Sequence, residues 1–352
     1  MKKIRISLIL AVIFAFSLLG SAAFAAGLAN DSVLSQHIKE ADGTSGQDSN
    51  AGSGIKTGHI QDGAVTASKI AYYSKVAIVA PVGGDFTNPA SALGSVTSWC
   101  GTPSETNRCL VKIMPGIYDV NWDYVNGRAY VDIEGSGENT TIITGRGSYT
   151  VYGGNEEIRF LTIENRGDIA TSWARAIRFD NSSGGKLTNV TATCSGASQM
   201  NWAIETAGPA TLINVTAIAS GGSQETVGIL LGNGSATLRN VTVAAQDAPF
   251  NYGIFVKNGA PILNSVTAKA TGGSYNYGVY NEYSFEGDPM RIYNSILAGS
   301  TNTIFNGEIP IWPTTTYIAT THLDGGPVAG IGTTVCAGVY DENFNFSTNT
   351  CP

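Results

Sequence analysis

The feature that most constrains the fold is a repeat of about 25 residues in the middle of the chain. Segments of the form Leu-x-Asn/Ser-Val-Thr begin at Leu187, Leu212, Leu238 and Leu263, an almost constant spacing. A second motif, Trp202-Ala-Ile204, returns at Val227, Tyr252 and Tyr277 with the same spacing and with a glycine in place of the alanine. A fixed period of this length is typical of a solenoid, whose turns stack on one another.

Each repeat consists of short strands. Val190, Ala192 and Cys194 alternate with Thr191 and Thr193, the period of two that marks a strand with one buried face. Gly, Asn, Ser and Pro separate the strands and leave no room for a helix of normal length. A strand-only repeat cannot complete its own sheet, so its backbone must bond to the copies above and below. The sequence therefore predicts an all-β fold, a parallel β-helix of about 25 residues per coil.

Stacked turns place like residues in columns. We expect an asparagine ladder at one corner, because asparagine tolerates the left-handed conformation of a bend. The ladder comprises Asn189, Asn214, Asn240 and Asn294, with Ser265 as a gap. Cys194 shares its column with alanines, which predicts a small buried side chain and not a nucleophile.

The residues before the repeats resemble a known family. VGGDFTNPASAL (82–93), LVKIMPGIY (110–118) and VDIEGSGENTTIITG (131–145) look like the opening of pectinesterase-like members of the pectin-lyase-like superfamily. The resemblance implies a right-handed parallel β-helix that begins with a short capping helix. Asn88 is a suitable N-cap with Pro89 at the first helical position. None of the catalytic motifs of pectinesterases, polygalacturonases or pectate lyases is present, so the resemblance assigns no catalytic residue.

The two ends of the chain differ from the coil. Lys2, Lys3 and Arg5 precede an apolar run and the small-x-small site Ala23-Phe24-Ala25, which together resemble a bacterial signal peptide cleaved after Ala25. Its removal takes the net charge from −7 to −10. No other stretch is apolar enough to span a bilayer, and an acidic chain is a poor partner for nucleic acid. We expect a secreted or cell-surface protein.

A short stalk-like motif follows the predicted signal peptide. Ile55, Ile60, Val65 and Ile70 recur at a constant short spacing and resemble stalk repeats of phage tail fibres. A flexible linker is the alternative, and the stalk interpretation implies a homotrimer formed through residues 53–72. The expected organisation is a signal peptide (1–25), a linker or stalk (26–75), the β-helix (76–305) and an irregular, disulfide-closed tail (306–352).

The cysteines fit an oxidising compartment. Cys100 and Cys109 bracket a short polar loop, and Cys336 and Cys351 bracket the end of the chain, which favours two local disulfides. Metal binding is the alternative, but neither a CxxC spacing nor a nearby pair of histidines favours it. We expect no cofactor; calcium is left open, although no motif indicates it.

Two groups of residues are candidates for chemistry. In the second strand of each repeat, Arg178 and Glu205 are predicted to form an outward ion pair between adjacent turns, typical of surface charge. Asp180 with Glu205 is also a candidate acid pair, since glycoside hydrolysis needs two carboxylates across the scissile bond. The aromatic stretch 250–285 offers a second site, with Tyr280, Glu282, Tyr283 and Phe285 as candidate sugar-binding residues.

These patterns favour an exported, non-catalytic β-helix protein that binds a surface glycan or polysaccharide, or adheres to one. The first alternative is a carbohydrate-active enzyme (a polysaccharide lyase, hydrolase or esterase) with an unfamiliar site. The second is a structural component of a fibre or assembly. The fold alone does not assign an activity.

Overall fold

The computed structural model describes residues 72–180, 184–282, 288–307 and 314–352. These residues form a right-handed parallel β-solenoid of about eight turns, which confirms the predicted fold class. The predicted signal peptide lies outside the described residues, as does the stalk-like segment apart from Tyr72.

The first sheet contains the strand pairs that meet at the asparagine corner, including the longest strands of the repeats. Its strands are β1 (Lys75–Val79), β2 (Cys109–Ile113), β3 (Gly116–Asn121), β5 (Val131–Glu134), β6 (Thr141–Gly145), β8 (Glu157–Asn165), β10 (Gly185–Cys194), β12 (Ala210–Ser220), β14 (Thr237–Gln246), β16 (Ile262–Thr271), β18 (Met290–Tyr293), β19 (Ile296–Gly299), β21 (Thr315–Ala319), β22 (His322–Gly325), β24 (Thr333–Ala337), β25 (Val339–Tyr340) and β26 (Phe346–Ser347).

The second sheet forms the opposite wall of the coil. Its strands are β4 (Val125–Asn126), β7 (Tyr149–Gly153), β9 (Trp173–Phe179), β11 (Met200–Thr206), β13 (Glu225–Leu231), β15 (Phe250–Val256), β17 (Tyr275–Asn281), β20 (Asn302–Asn306) and β23 (Val328–Ala329). The strands within this sheet pair in parallel, each with the equivalent strand of the next turn.

The register of the strands follows the sequence repeat residue by residue. Val190 pairs with Val215, Val215 with Val241, and Val241 with Val266, and all four are at most 1% exposed. Cys194 is likewise buried, and burial raises the pKa of its thiol to about 12. The prediction that this cysteine packs as a small apolar residue is confirmed.

The predicted asparagine ladder is present, and the same backbone conformation extends to a serine at the corner. Asn214 donates from Nδ2 to Oδ1 of Asn189 at 3.0 Å, and Asn240 donates to Asn214 at 3.2 Å. Both, like Asn189, have a φ of 53–54°. Ser265 interrupts the row of asparagine side chains but has the same left-handed backbone conformation, with a φ of 58°. Its neighbour Asn264 supplies the amide oxygen instead, accepting from Asn294 at 3.3 Å.

A second ladder of polar side chains lies inside the coil, where the chain enters the second sheet. Asn201, Thr226, Asn251 and Asn276 occupy one column and are at most 3% exposed. Asn251 donates to Oδ1 of Asn276 at 2.8 Å and accepts from the hydroxyl of Thr226 at 2.6 Å. These bonds satisfy polar groups that burial would otherwise leave costly.

The predicted cap closes the N-terminal end. Helix α1 (Pro89–Gly94) begins after Asn88, whose side chain accepts the backbone N–H of Ala90 at 2.8 Å, and α2 (Val96–Trp99) follows it. Ala92 and Leu93 are fully buried against the first coil. The disulfide Cys100–Cys109 joins the end of α2 to β2.

The C-terminal segment is more regular than expected. Residues 306–352 were predicted to be an irregular tail, yet β18 pairs with β21 and β21 with β24, which continue the coil. The repeat is hidden in the sequence because the turn length changes. The turn from Tyr293 to its partner Ala319 has nearly the usual length, whereas the next turn, from Ala319 to Ala337, is much shorter. The antiparallel pair β25–β26 and the disulfide Cys336–Cys351 end the chain.

The ladder makes a prediction about stability. Asn214→Ala should lower the free energy of unfolding by about 2–3 kcal/mol, because it removes two ladder hydrogen bonds and places alanine in the left-handed region. Asn214→Gly should cost less, since glycine adopts that conformation freely. Urea unfolding of both variants measures the difference. Equal losses for alanine and glycine would show that the corner conformation is not what the asparagine stabilises.

Candidate functional site

The outer face of the second sheet carries a strip of aromatic side chains. Three adjacent columns on this face contribute to it. We call the strip the second-sheet aromatic strip; its members are Tyr149, Tyr152, Trp173, Trp202, Phe250, Tyr252, Phe255, Tyr275, Tyr277, Tyr280 and Phe305. Because adjacent strands lie about 4.8 Å apart, the strip is roughly 30 Å long.

Tyr252 and Tyr277 belong to this outer face, although their sequence parity is that of the inward residues Ile254 and Val279. The alternation breaks at the glycine between each pair. A Cβ at Gly253 would point into the coil, 2.6 Å from the carbonyl oxygen of Gly278 and close to Lys269 on the first sheet. Since the glycine and the following residue both face inward, the preceding tyrosine faces outward. The parity of these two tyrosines in the sequence therefore does not place them in the core.

In-register pairing stacks the rings of successive turns. Phe250 and Tyr275 lie 4.8 Å apart between centroids with 8° between their planes, and Tyr252 and Tyr277 lie 5.3 Å apart at the same angle. Tyr280 packs edge-on against these columns. Such contacts contribute about 0.5–1.5 kcal/mol per pair beyond the area they bury.

One turn interrupts the strip. β13 presents Glu225, Val227 and Leu230 in the three columns. On one side β15 presents Phe250, Tyr252 and Phe255 at the equivalent positions, and on the other side β11 presents a single aromatic residue, Trp202. Phe250 stacks on Tyr275 with one face, and no aromatic ring of the described residues covers the other. A pocket of about 430 Å³ opens at this step. We call it the Glu225 pocket; it is lined by Met200, Ser223, Gln224, Glu225, Pro249, Phe250 and Tyr252.

Glu225 is the acid of this pocket. Its Oε1 accepts the indole N–H of Trp202 at 2.8 Å. Burial raises the pKa of the Glu225 carboxyl, although the Trp202 hydrogen bond and the charges of Arg175 and Lys257 act in the opposite direction. None of the ion pairs between described residues includes Glu225. Nothing in the sequence of its own repeat marks this residue as part of a site.

The predicted ion pair of Arg178 and Glu205 is present, but Glu205 has a second arginine partner that lies closer. The two residues pair in register, with 3.8 Å between Arg178 Nη1 and Glu205 Oε2. The closer partner of Glu205 is Arg175, a residue that was not among the predicted site residues. The Arg175 guanidinium lies 4.4 Å from the ring centroid of Trp173 and 3.9 Å from that of Trp202. Because both members of the pair are largely buried, Glu205 serves to neutralise a buried cation.

Asp180 follows the end of β9. Its Oδ2 accepts the hydroxyl of Tyr152 at 3.0 Å, and burial together with this bond raises the pKa of that tyrosine. Arg178 donates to the hydroxyl of Tyr149 at 3.0 Å. The candidate acids Asp180 and Glu205 and the ion-pair partner Arg178 thus lie on two neighbouring turns. Each contacts a member of the aromatic strip or a residue that packs on it. Their role in acid–base chemistry stays a prediction.

The candidate sugar-binding residues divide into two groups. Tyr280 is 8% exposed and lies stacked on Phe305 at 5.2 Å, so it contributes packing within the strip. Glu282 follows β17 and is half-buried, and its N–H donates to the carbonyl of Val256. Tyr283 and Phe285 lie outside the described residues.

A further acid lies inside the coil. Glu156 is 2% exposed, and burial raises the pKa of its carboxyl to about 7. Its Oε2 accepts the N–H of Gly154 at 2.8 Å, while its Oε1 lies against Gly127 and Gly153, where a Cβ would overlap it. Glycine at both positions therefore makes the room for this acid. A carboxyl so enclosed has no access to a polysaccharide.

Two further properties concern the described residues as a whole. No group of three or more His, Cys, Asp or Glu side chains among them is placed to hold a metal ion. In the same part of the chain, no helix is long and apolar enough to cross a membrane.

No family model matches the chain, and neither does any curated protein. Among solved structures, the chain is similar to a pectin methylesterase from carrot, with 14% identity over 76% of this chain and 82% of that one and a TM-score of 0.42. A pectin methylesterase from Aspergillus niger gives 14% identity, 74% and 86% coverage and a TM-score of 0.42. The Dettilon tailspike protein gives 10% identity over 72% of this chain and 57% of that one, with a TM-score of 0.37.

These similarities concern the fold alone. The fold itself is established by the strand register described above.

The Arg175–Glu205 pair yields a testable prediction. Glu205→Gln should lower the free energy of unfolding by about 3–5 kcal/mol, because it leaves the Arg175 guanidinium buried without its carboxylate. Glu164→Gln is the control: its partner Arg166 is 55% exposed, so the loss should stay below about 1 kcal/mol. Denaturant unfolding measures both. Similar losses in the two variants would contradict a structural role for Glu205.

Glu156 predicts a pH dependence of stability. Between pH 4.5 and about 7, the folded chain holds a proton on Glu156 that the unfolded chain has released, so stability falls as the pH rises through this window. A shift of this size corresponds to about 3 kcal/mol. Glu156→Gln should flatten the dependence and stabilise the protein at a pH above this window. An unchanged pH profile of the unfolding free energy would contradict the assignment.

Proposed function

We propose that the protein is an exported, non-catalytic β-helix protein that binds a glycan or adheres to a glycan-coated surface. The observation that supports this proposal is the second-sheet aromatic strip, a row of amphipathic rings along one face of a rigid rod. Aromatic side chains beside polar groups are suited to sugars, because the rings cover apolar C–H faces and the polar groups bond hydroxyls.

The shape of the strip favours an extended ligand. Its members recur on successive turns, so equivalent contacts repeat along the axis of the coil. Phe250 and Tyr275 are the most accessible described members, at 40% and 46% exposure. A polymer that lies along the axis would touch several turns at once, and the summed contacts would supply the affinity.

The charged groups near the strip favour binding over catalysis. Glu205 is committed to Arg175 and Arg178, and Asp180 accepts a hydrogen bond from Tyr152. A general acid or base must reach the proton that it transfers, and a carboxylate that neutralises a buried arginine is poorly placed to do so. Export is supported by the two disulfides, which are typical of oxidising compartments.

Loss of the accessible rings should weaken glycan binding. In affinity electrophoresis of the full chain on a panel of polysaccharides, Phe250→Ala with Tyr275→Ala should lower the affinity for the bound glycan at least about tenfold, or about 1.4 kcal/mol. Tyr317→Ala is the matched control, since Tyr317 is 42% exposed but lies on the first sheet, in β21.

The same polysaccharides separate the proposal from its alternatives. Release of reducing ends, methanol or acetate from any of them would contradict a non-catalytic role and favour a carbohydrate-active enzyme. A chain that binds none of the glycans would contradict the proposal as well. A strip variant that binds as tightly as the Tyr317 control would move the binding surface elsewhere.

A further inference from the structure

The Glu225 pocket differs from the rest of the second-sheet aromatic strip in its charge. Glu225 is an acid placed at the step where the rings are missing. Its Oε1 accepts a single hydrogen bond from a neutral donor, the Trp202 indole, and it takes part in no ion pair among the described residues. The carboxyl of Glu225 therefore has no charged partner among the described residues and can pair with a cationic ligand.

The nearby cations do not neutralise it. Arg175 is the closest in the sheet, but it is paired with Glu205 and lies beneath the indole of Trp202, 3.9 Å from the ring centroid. Lys257 is exposed and lies at the far end of β15, after Val256. An anionic sugar in the pocket would therefore meet a carboxylate that has no ion-pair partner among the described residues, and would be repelled.

The walls of the pocket suit a cation. Phe250 presents a ring face that no other described aromatic residue covers, beside the thioether of Met200. A cation over an aromatic face is attracted by the ring quadrupole, and more strongly where water is excluded. A carboxylate on the adjacent side adds a charge-assisted hydrogen bond. The volume of about 430 Å³ falls in the range of sites for small molecules, so one sugar ring fits.

We infer that the Glu225 pocket binds the protonated amine of a hexosamine, so that the glycan held by the strip contains amino sugars with free amines. This inference rests on the proposed glycan-binding function and specifies its ligand. Glu225 bonds the ammonium group, and the Phe250 face covers the ring that carries it. The negative net charge, −7 for the full sequence and −10 without the predicted signal peptide, attracts the same class of polymer at long range.

Titration calorimetry of the full chain at about pH 6 tests the inference. The probes are tetramers of glucosamine, of N-acetylglucosamine and of glucose. The glucosamine tetramer should bind about tenfold more tightly than the N-acetylated one, because acetylation removes the charge. Glu225→Gln should abolish this preference. Glu164→Gln removes the same charge from the first sheet and should retain it, which separates the pocket from net charge.

A second variant, Phe250→Leu, tests the inference independently in case Glu225→Gln does not fold. Phe250→Leu keeps an apolar side chain at an exposed position and removes only the ring face, so the affinity for the glucosamine tetramer should fall about threefold. Equal binding of all three tetramers, or a preference that persists in Glu225→Gln, would overturn the inference and leave glycan binding intact. Binding of none of the tetramers or polysaccharides would overturn both.

Discussion

The structure depends on the in-register parallel pairing of successive turns. Each residue of the repeat lies over its equivalent in the next turn, about 4.8 Å away. Each side chain must therefore be compatible with the equivalent side chains of the turns above and below it. Valines fill one inward column, asparagines bond along a corner, and rings stack along the outer face. The same constraint explains the low content of charged residues, 13%, because like charges in a column repel.

This constraint also explains how a site arises on so regular a surface. In a column of stacked rings, each ring covers a face of its neighbours and leaves no recess between them. A recess forms only where the column is interrupted, and β13 provides that interruption. The Glu225 pocket is therefore a defect in a repeat, bounded by the intact repeats on each side. The buried Arg175–Glu205 pair joins the two turns that precede it.

Much of the fold could be predicted because it is local or periodic. The regular spacing of the motifs predicted the coil, the asparagine corner and the buried Cys194 column, the Asn88-Pro89 pair predicted the cap, and the positions of the cysteines predicted both disulfides. The site was harder to predict because it depends on broken periods. The inward glycine before Ile254 reverses the parity of Tyr252, and the shortened turn after Ala319 hides the last coils. The sequence did not indicate the role of Arg175, because its contacts with the rings of Trp173 and Trp202 arise only in the folded chain.

The central claim is that the outer face of the second sheet is the glycan-binding surface. Hydroxyl-radical footprinting read by mass spectrometry tests it directly, because it labels accessible aromatic side chains on every face at once. With a bound glycan, the account predicts reduced labelling of Trp173, Phe250 and Tyr275 and unchanged labelling of Tyr317 and Tyr340 on the first sheet. Protection of the first-sheet tyrosines, with the strip labelled as strongly as in the free protein, would contradict it.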